Sequence, residues 1–352
     1  MPDLTISPAP TALAMSPVSH NRRDPFAIVV RFQSVIGLIL VIICGVVFSP
    51  SRNGQLLFLA PDNIANIVRA ISETGIIALG MTFVIITAGI DLSVGALLGL
   101  SSVLVATLMI SFGWSPLAAI IGVAAIGTLF GGIQGAISTR FRLEPFIVTL
   151  AGLQVARGLA LMVSGNKYIN ISYGDGPGLA NPAFDILSQR LFGNTVPVAT
   201  LIFLGLALIA TFVLNRTRFG RYVFAVGGNQ RAARLSGIPV NGIKMAVYAI
   251  AGLSASLAGV VHAGQFSFGS PNDGMGYELT AIAAVVIGGT SLFGGAGSMV
   301  GTVAGSIMLG ALANILQLNN VNPALQLLAT GAIIVLAAML QSLVRRREGS
   351  VR

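Results

Sequence analysis

The sequence predicts an all-α polytopic membrane protein of about ten transmembrane helices, some short or broken, with both termini cytoplasmic. Three observations carry that prediction. Hydrophobic residues fill 55% of the 352 positions and charged residues only 9%, at a mean hydropathy of +0.88, which is more apolar surface than one soluble core can hide. Apolar windows of roughly 20 residues recur along the chain. The basic residues gather between those windows.

Candidate spans lie near 33–49, 64–88, 93–112, 117–138, 146–164, 196–214, 244–264, 279–293, 297–317 and 324–343. Residues 1–32, rich in Pro, Ser, Thr and Ala, are expected to form a disordered cytoplasmic tail. The first window follows Arg22, Arg23 and Arg31 as a signal peptide would, but Ser49-Pro50-Ser51 offers no small-x-small cleavage pattern, so an uncleaved span is expected. The second and third windows flank Ile90-Asp91-Leu92-Ser93 within GMTFVIITAGIDLSVGALLGL, residues 80–100. Unpaired backbone costs several kcal/mol in lipid, so such a break survives only inside protein or beside a wetted path. That points to transport.

Further along, residues 165–197 form the longest polar insertion, either a surface for a soluble partner or an ordinary solvated loop. The run VIGGTSLFGGAGSMVGT from Val286 faintly echoes VIITAGIDLSVGALLGL from Val84, and suggests an internal duplication with both breaks near the cytoplasmic side. Small residues recur four apart at Gly95 and Gly99, at Gly127, Gly131 and Gly135, and at Gly297, Gly301 and Gly305. Such stripes let helices approach closely, within the bundle or across a dimer seam. Residues 33–343 are expected to form the transmembrane domain and 344–352 a basic cytoplasmic tail.

Orientation follows from charge. With the amino terminus inside, the inner segments carry fifteen of the twenty Lys and Arg residues; Arg52, Lys167 and Arg190 face outward, and Arg69 and Arg157 fall within spans. The net charge of +9 therefore reflects the membrane rather than nucleic acid. The single cysteine, Cys44, excludes an intrachain disulfide, and no metal site is expected.

No catalytic residues are expected either. The lysines Lys167 and Lys244 do not follow a phosphate-cradling glycine loop, so this chain is not expected to hydrolyse ATP itself. His20 lies in the tail, and His262 has only Ser254, Ser256 and Ser267 near it in sequence.

Polar residues within spans are the candidates for a translocation path or gate. Asp91 either caps a helix starting at Leu92, supported by Ser93, or contributes to an inner gate. Arg157, with Gln154 on nearly the same face, must turn toward the bundle interior, to hold carbonyls or Gln154 or to touch substrate. Asn314 and Gln317 meet either a hydroxyl-bearing cargo or neighbouring helices. Arg69 and Glu73, four apart, are expected to pair. Gln265, Asn272, Asp273 and Glu278 are expected in an outer turn, meeting a soluble partner or simply exposed.

The inner segment 215–244 carries six positive charges and no acid. Within it Asn229 can cap a short helix over 230–236, Gly237 can end it and Pro239 prevents its continuation. Ala232, Ala233 and Leu235 offer a small apolar face, and Arg231 and Arg234 can meet carboxylates at the rim of a cytosolic partner's groove; anchoring to anionic lipid is the other reading.

GMTFVIITAGIDLSVG, FGRYVFAVGGNQRAARLSGI and YELTAIAAVVIGGTSLFGGAGS, in this order, resemble the permease subunits of bacterial ABC importers for ribose, xylose, arabinose, galactose and related polyols, over about residues 33–343. The resemblance implies an inner-membrane importer permease that binds no cofactor, dimeric with itself or with a sibling. It also implies a periplasmic sugar-binding protein and a cytosolic ABC ATPase that uses ATP and Mg, with no nucleic-acid partner. Residues Asn229, Arg231, Ala232, Ala233, Arg234, Leu235, Ser236 and Gly237 then match the family's coupling helix. Arg231 stands where the family commonly has an acid, and Thr280 where relatives often have Asp. The rival reading is an ion-coupled secondary sugar transporter, which also suits broken helices and an isolated Asp91.

Overall fold

The computed structural model describes residues 33–332 together with Val335 and Met339. The amino-terminal tail, part of the tenth window and the basic carboxyl-terminal tail lie outside those residues. Eleven labelled helices occupy the described chain: α1 (Gln33–Val47), α2 (Pro61–Ile86), α3 (Val94–Ile110), α4 (Pro116–Phe141), α5 (Pro145–Ser164), α6 (Val198–Arg216), α7 (Arg218–Gly228), α8 (Gln230–Leu235), α9 (Val240–Phe266), α10 (Tyr277–Ile287) and α11 (Met299–Leu318). Six of them, α2, α4, α5, α6, α9 and α11, are long and apolar enough to cross a membrane.

Local chemistry sets the boundaries. Proline opens α2, α4 and α5, where a missing N–H costs nothing because the first turn has no acceptor for it. Ser298 caps α11 through its side chain, and Gly165 ends α5 in a left-handed conformation. The eighth window proves too long: α10 is only 11 residues, because Gly288 and Gly289 end the helix inside the predicted span. At about 1.5 Å per residue it covers roughly half a bilayer.

Helices α2, α3 and α9 form the centre. Ile76, Ile77, Met81, Phe83, Leu97 and Leu98 are almost wholly buried there, while α4, α5 and α6 present many exposed apolar side chains outward. The glycine stripes are consumed by packing within this chain. A Cβ at Gly127, Gly131 or Gly135 would run into α9 at Ser256, Tyr248 or Met245; at Gly301 or Gly305 it would strike the Gly288 or Ala284 carbonyl of α10. Backbones this close gain dispersion contacts that lipid cannot match. The dimer-seam reading of these stripes is therefore replaced by helix packing inside the bundle.

The 165–197 insertion is also packed rather than loose. Ile171, Ala180 and Phe184 are buried in a second apolar cluster with Val105, Met109 and Val260, and strand Ile169–Asn170 pairs antiparallel with Phe268–Gly269. Two further short ribbons join Ser51–Arg52 to Gln55–Leu56 and Arg190–Leu191 to Val196–Pro197.

Candidate functional site

Two interruptions bring the chemistry together. The first is the stretch 87–93 between α2 and α3, and the second is 288–298 between α10 and α11. They meet: Gly295 N–H donates to the Ile86 carbonyl at 2.9 Å, and Gly227 at the end of α7 lies so close that a Cβ there would overlap that carbonyl. Gly294 and Gly295, at φ of 82° and 74°, take left-handed conformations that side chains rarely adopt. Both breaks and the end of α7 thus share one glycine-lined junction.

Asp91 is 1% exposed at this junction. Its Oδ1 accepts from Ser93 N–H at 2.9 Å and from Ser93 Oγ–H at 2.7 Å. The helix starts later than expected, at Val94, with Ser93 at the cap position, so Asp91 supports the cap residue instead of capping from Asp91 to Leu92. Gln134 of α4 donates to Ser93 Oγ at 2.9 Å, and Thr149 of α5 donates to the Ile90 carbonyl at 3.3 Å. Among the described residues Asp91 Oδ2 and Gln134 Oε1 have no hydrogen-bond partner, an uncommon condition for buried oxygens.

A third non-helical stretch, 267–276, enters from the opposite end. Helix α9 runs from beside α8 to Phe266, about 40 Å away at 1.5 Å per residue. From there the chain folds back along α3, so that a Cβ at Gly99 would meet the Asp273 carbonyl and one at Gly95 the Gly274 carbonyl. Arg157 of α5 donates to the Pro271 carbonyl and, at 3.0 Å, to that of Asp273. Of the alternatives for Arg157, it holds carbonyls; Gln154 is exposed on α5 and is not its partner in these hydrogen bonds.

The charged residues of α2 find distant partners instead of each other. The expected Arg69–Glu73 pair is absent: Arg69 Nε donates to Gln265 Oε1 at 2.8 Å, while Glu73 Oε2 lies 2.8 Å from His262 Nδ1. His262 Nε2 faces Asp273 Oδ1 at 3.3 Å. Gln265 and Asp273 therefore point into the protein rather than outward, because a carboxylate and an amide so placed replace the water that the bilayer denies them. Asn272 is exposed and Glu278 half-buried. Nothing near His262 in sequence announced this cluster; the available signal was one acid and one histidine, each isolated in an apolar span.

Asn314 and Asn63 exchange hydrogen bonds at 2.8 and 2.9 Å, so Asn314 contacts α2 rather than the bundle axis, and Gln317 is exposed. At the opposite end the short helix forms as expected over Gln230–Leu235. Asn229 Oδ1 accepts from Ala232 N–H at 2.9 Å and Gly237 sits at φ 80°. Ala233 corrects the expected face: it is 4% exposed and packs into the bundle, whereas Leu235 is 83% exposed. Arg231, Ala232, Arg234 and Ser236 are exposed beside Leu235. Among the described residues no cluster is arranged to hold a metal ion.

A buried helical bundle with three non-helical interruptions, six helices long and apolar enough to cross a membrane and a capped basic helix at one end has the make-up of a polytopic membrane protein. Comparison with known proteins makes this specific. Residues 63–338 match the family described as branched-chain amino acid transport system, permease component, and the chain belongs to that family. It is 43% identical over 308 residues to the ribose import permease protein RbsC of Bacillus subtilis, covering 87% of this chain and 90% of the relative. The D-allose transport system permease protein AlsC of Escherichia coli is 38% identical over 290 residues, covering 82% and 86%. The xylose transport system permease protein XylH of Escherichia coli is 35% identical over 343 residues, covering 83% and 87%. No solved structure is matched by the chain. The chain is thus a permease subunit of an ABC importer, a transport protein of the inner membrane and not an enzyme.

Proposed function

We propose that this permease moves a monosaccharide or related polyol, received from a periplasmic binding protein and driven by a cytosolic ATPase that binds ATP and Mg. The observation that carries the reading is α8: a capped helix outside the apolar spans, with Leu235 bare at its tip and Arg231 and Arg234 beside it, joined through α7 to the junction of both breaks. A partner seated on residues 229–237 would move the breaks directly. The names of the relatives, ribose, allose and xylose, support a pyranose- or furanose-sized cargo.

In this reading the α7–α8 end is cytoplasmic, both termini share that side, and the windows amount to ten spans, since the inner segments then hold the cationic residues. Residues 1–32 and 344–352 serve as cytoplasmic tails flanking the permease domain. The path runs past Asp91, Ser93 and Arg157, with Gln154 facing a second permease, identical or sibling. Asn314, engaged with Asn63, contributes to packing.

The test is uptake by vesicles holding the permease with its ATPase and binding protein, challenged with pentoses, hexoses, polyols and branched-chain amino acids. ATP-dependent accumulation of a sugar or polyol is expected. Accumulation of a branched-chain amino acid instead, or uptake abolished by an ionophore at constant ATP, would overturn the proposal in favour of another cargo or an ion-coupled carrier.

A further inference from the structure

His262 stands between two carboxylates, hydrogen-bonded to Glu73 and within ion-pair distance of Asp273. Its Nδ1 lies 2.8 Å from Glu73 Oε2 on α2 and its Nε2 lies 3.3 Å from Asp273 Oδ1 in the 267–276 stretch. Between two ionised carboxylates a neutral imidazole, with its one N–H, satisfies one of these oxygens and opposes its lone pair to the other. Only the imidazolium donates to both. Phe266 and Phe268 stand against the ring, with centroids 4.7 and 6.3 Å away, and the side chains of all three polar residues are about nine-tenths buried. Water is therefore a poor substitute for either bond.

What this bridge fixes is the loop that holds Arg157. Asp273 Oδ2 accepts from Ser102 Oγ–H and from Ser270 N–H, each at 2.8 Å, so the carboxylate ties α3, α9 and the loop together. The same loop offers the Pro271 and Asp273 carbonyls to Arg157. Other charged and titratable groups around the cluster are Arg69 on α2, engaged by Gln265, Tyr277 of α10 beside Glu73, and Glu278 of α10, which attracts Arg157. Tyr277 adds a hydrogen bond to Glu73, which leaves Asp273 Oδ1 as the oxygen that faces only the ring.

We propose that His262 is a positioning residue for transport: as a cation donating on both sides, it fixes the 270–274 loop whose carbonyls orient Arg157 in the path. The inference rests on the proposed role of Arg157 in that path. Transport then depends on the proton state of a buried ring rather than on its bulk alone.

The rescue experiment uses the complete complex in vesicles with ATP. In His262→Gln the amide N–H can reach Glu73, but the amide oxygen opposes Asp273; uptake is expected to fall at least about tenfold, as misplacement of a positioned group does. Adding Asp273→Asn supplies an N–H to that amide oxygen and restores bonding on both sides with neutral groups. The double variant should recover most of the lost uptake, and losses that merely multiply would overturn the proposal.

Should His262→Gln fail to assemble, Asp273→Asn alone decides, because the amide it introduces can donate to a neutral ring. Its uptake relative to wild type should rise several-fold as the pH is raised and the wild-type ring loses its second proton, and with it one donor. A constant ratio would overturn the proposal. Absence of ATP-driven uptake in the wild-type complex would instead overturn the importer reading itself.

Discussion

Replacing Leu235 with glutamate is expected to abolish coupling while leaving the permease in the membrane. The side chain is 83% exposed at the tip of α8, so the bundle loses little packing. A docked partner would bury it, and burying a leucine is worth about 1.5–3 kcal/mol. A carboxylate forfeits that and adds desolvation, and about 1.4 kcal/mol already means a tenfold weaker complex. Uptake in vesicles should therefore fall at least about tenfold, with loss of the permease's stimulation of the ATPase. Unchanged uptake in this variant would refute the assignment of residues 229–237 as the docking element. Asn229→Ala, by contrast, removes only a cap worth about 1 kcal/mol and should weaken coupling without abolishing it.

The second large effect is expected at Gly227. A Cβ there would overlap the Ile86 carbonyl and crowd Gly295 N–H, the two groups that bond each other to join the breaks. Both neighbours are backbone, so no side chain can swing aside. Gly227→Val should either break the Ile86–Gly295 bond or push α7 away, at a cost of about 1–3 kcal/mol and more where relaxation is blocked. Thermal unfolding of the purified variant should occur several degrees lower, and in whatever assembled fraction remains ATP hydrolysis should run without uptake. A variant of normal stability and normal uptake would mean that α7 is not seated on the junction.

What could be read from the residues follows the range of the forces involved. Capping is local, so Asn229, Gly237 and Pro239 predicted a helix over 230–236 and the structure forms one over Gln230–Leu235. Helix approach at glycine stripes is also local in pattern, and Gly127, Gly131, Gly301 and Gly305 do sit at backbone contacts. Their partners were not legible, because α4 against α9 is decided by the whole bundle.

Charge pairing failed for the same reason. Arg69 and Glu73 stand at ideal i,i+4 spacing, yet Glu73 pairs with a histidine 189 residues away and Arg69 with a glutamine 196 residues away. A carboxylate deep in the bundle is held by whichever donors shed most water with it, and in a polytopic protein those stand on other helices. The short α10 escaped the hydropathy pattern because Gly288, Gly289 and Gly294 are apolar enough to extend an apolar window while leaving the backbone free to turn. The two breaks meet at one junction, where each supplies a turn that lipid would not tolerate.

In the proposed function this bundle is a conduit without its own energy source, whose breaks are worked from α8 by a separate motor. Reconstituted alone in sealed vesicles, the purified permease should accumulate no sugar against a gradient, with or without an imposed ion gradient. Addition of the ATPase, binding protein and ATP should produce accumulation. Uphill transport by the permease alone would contradict the account.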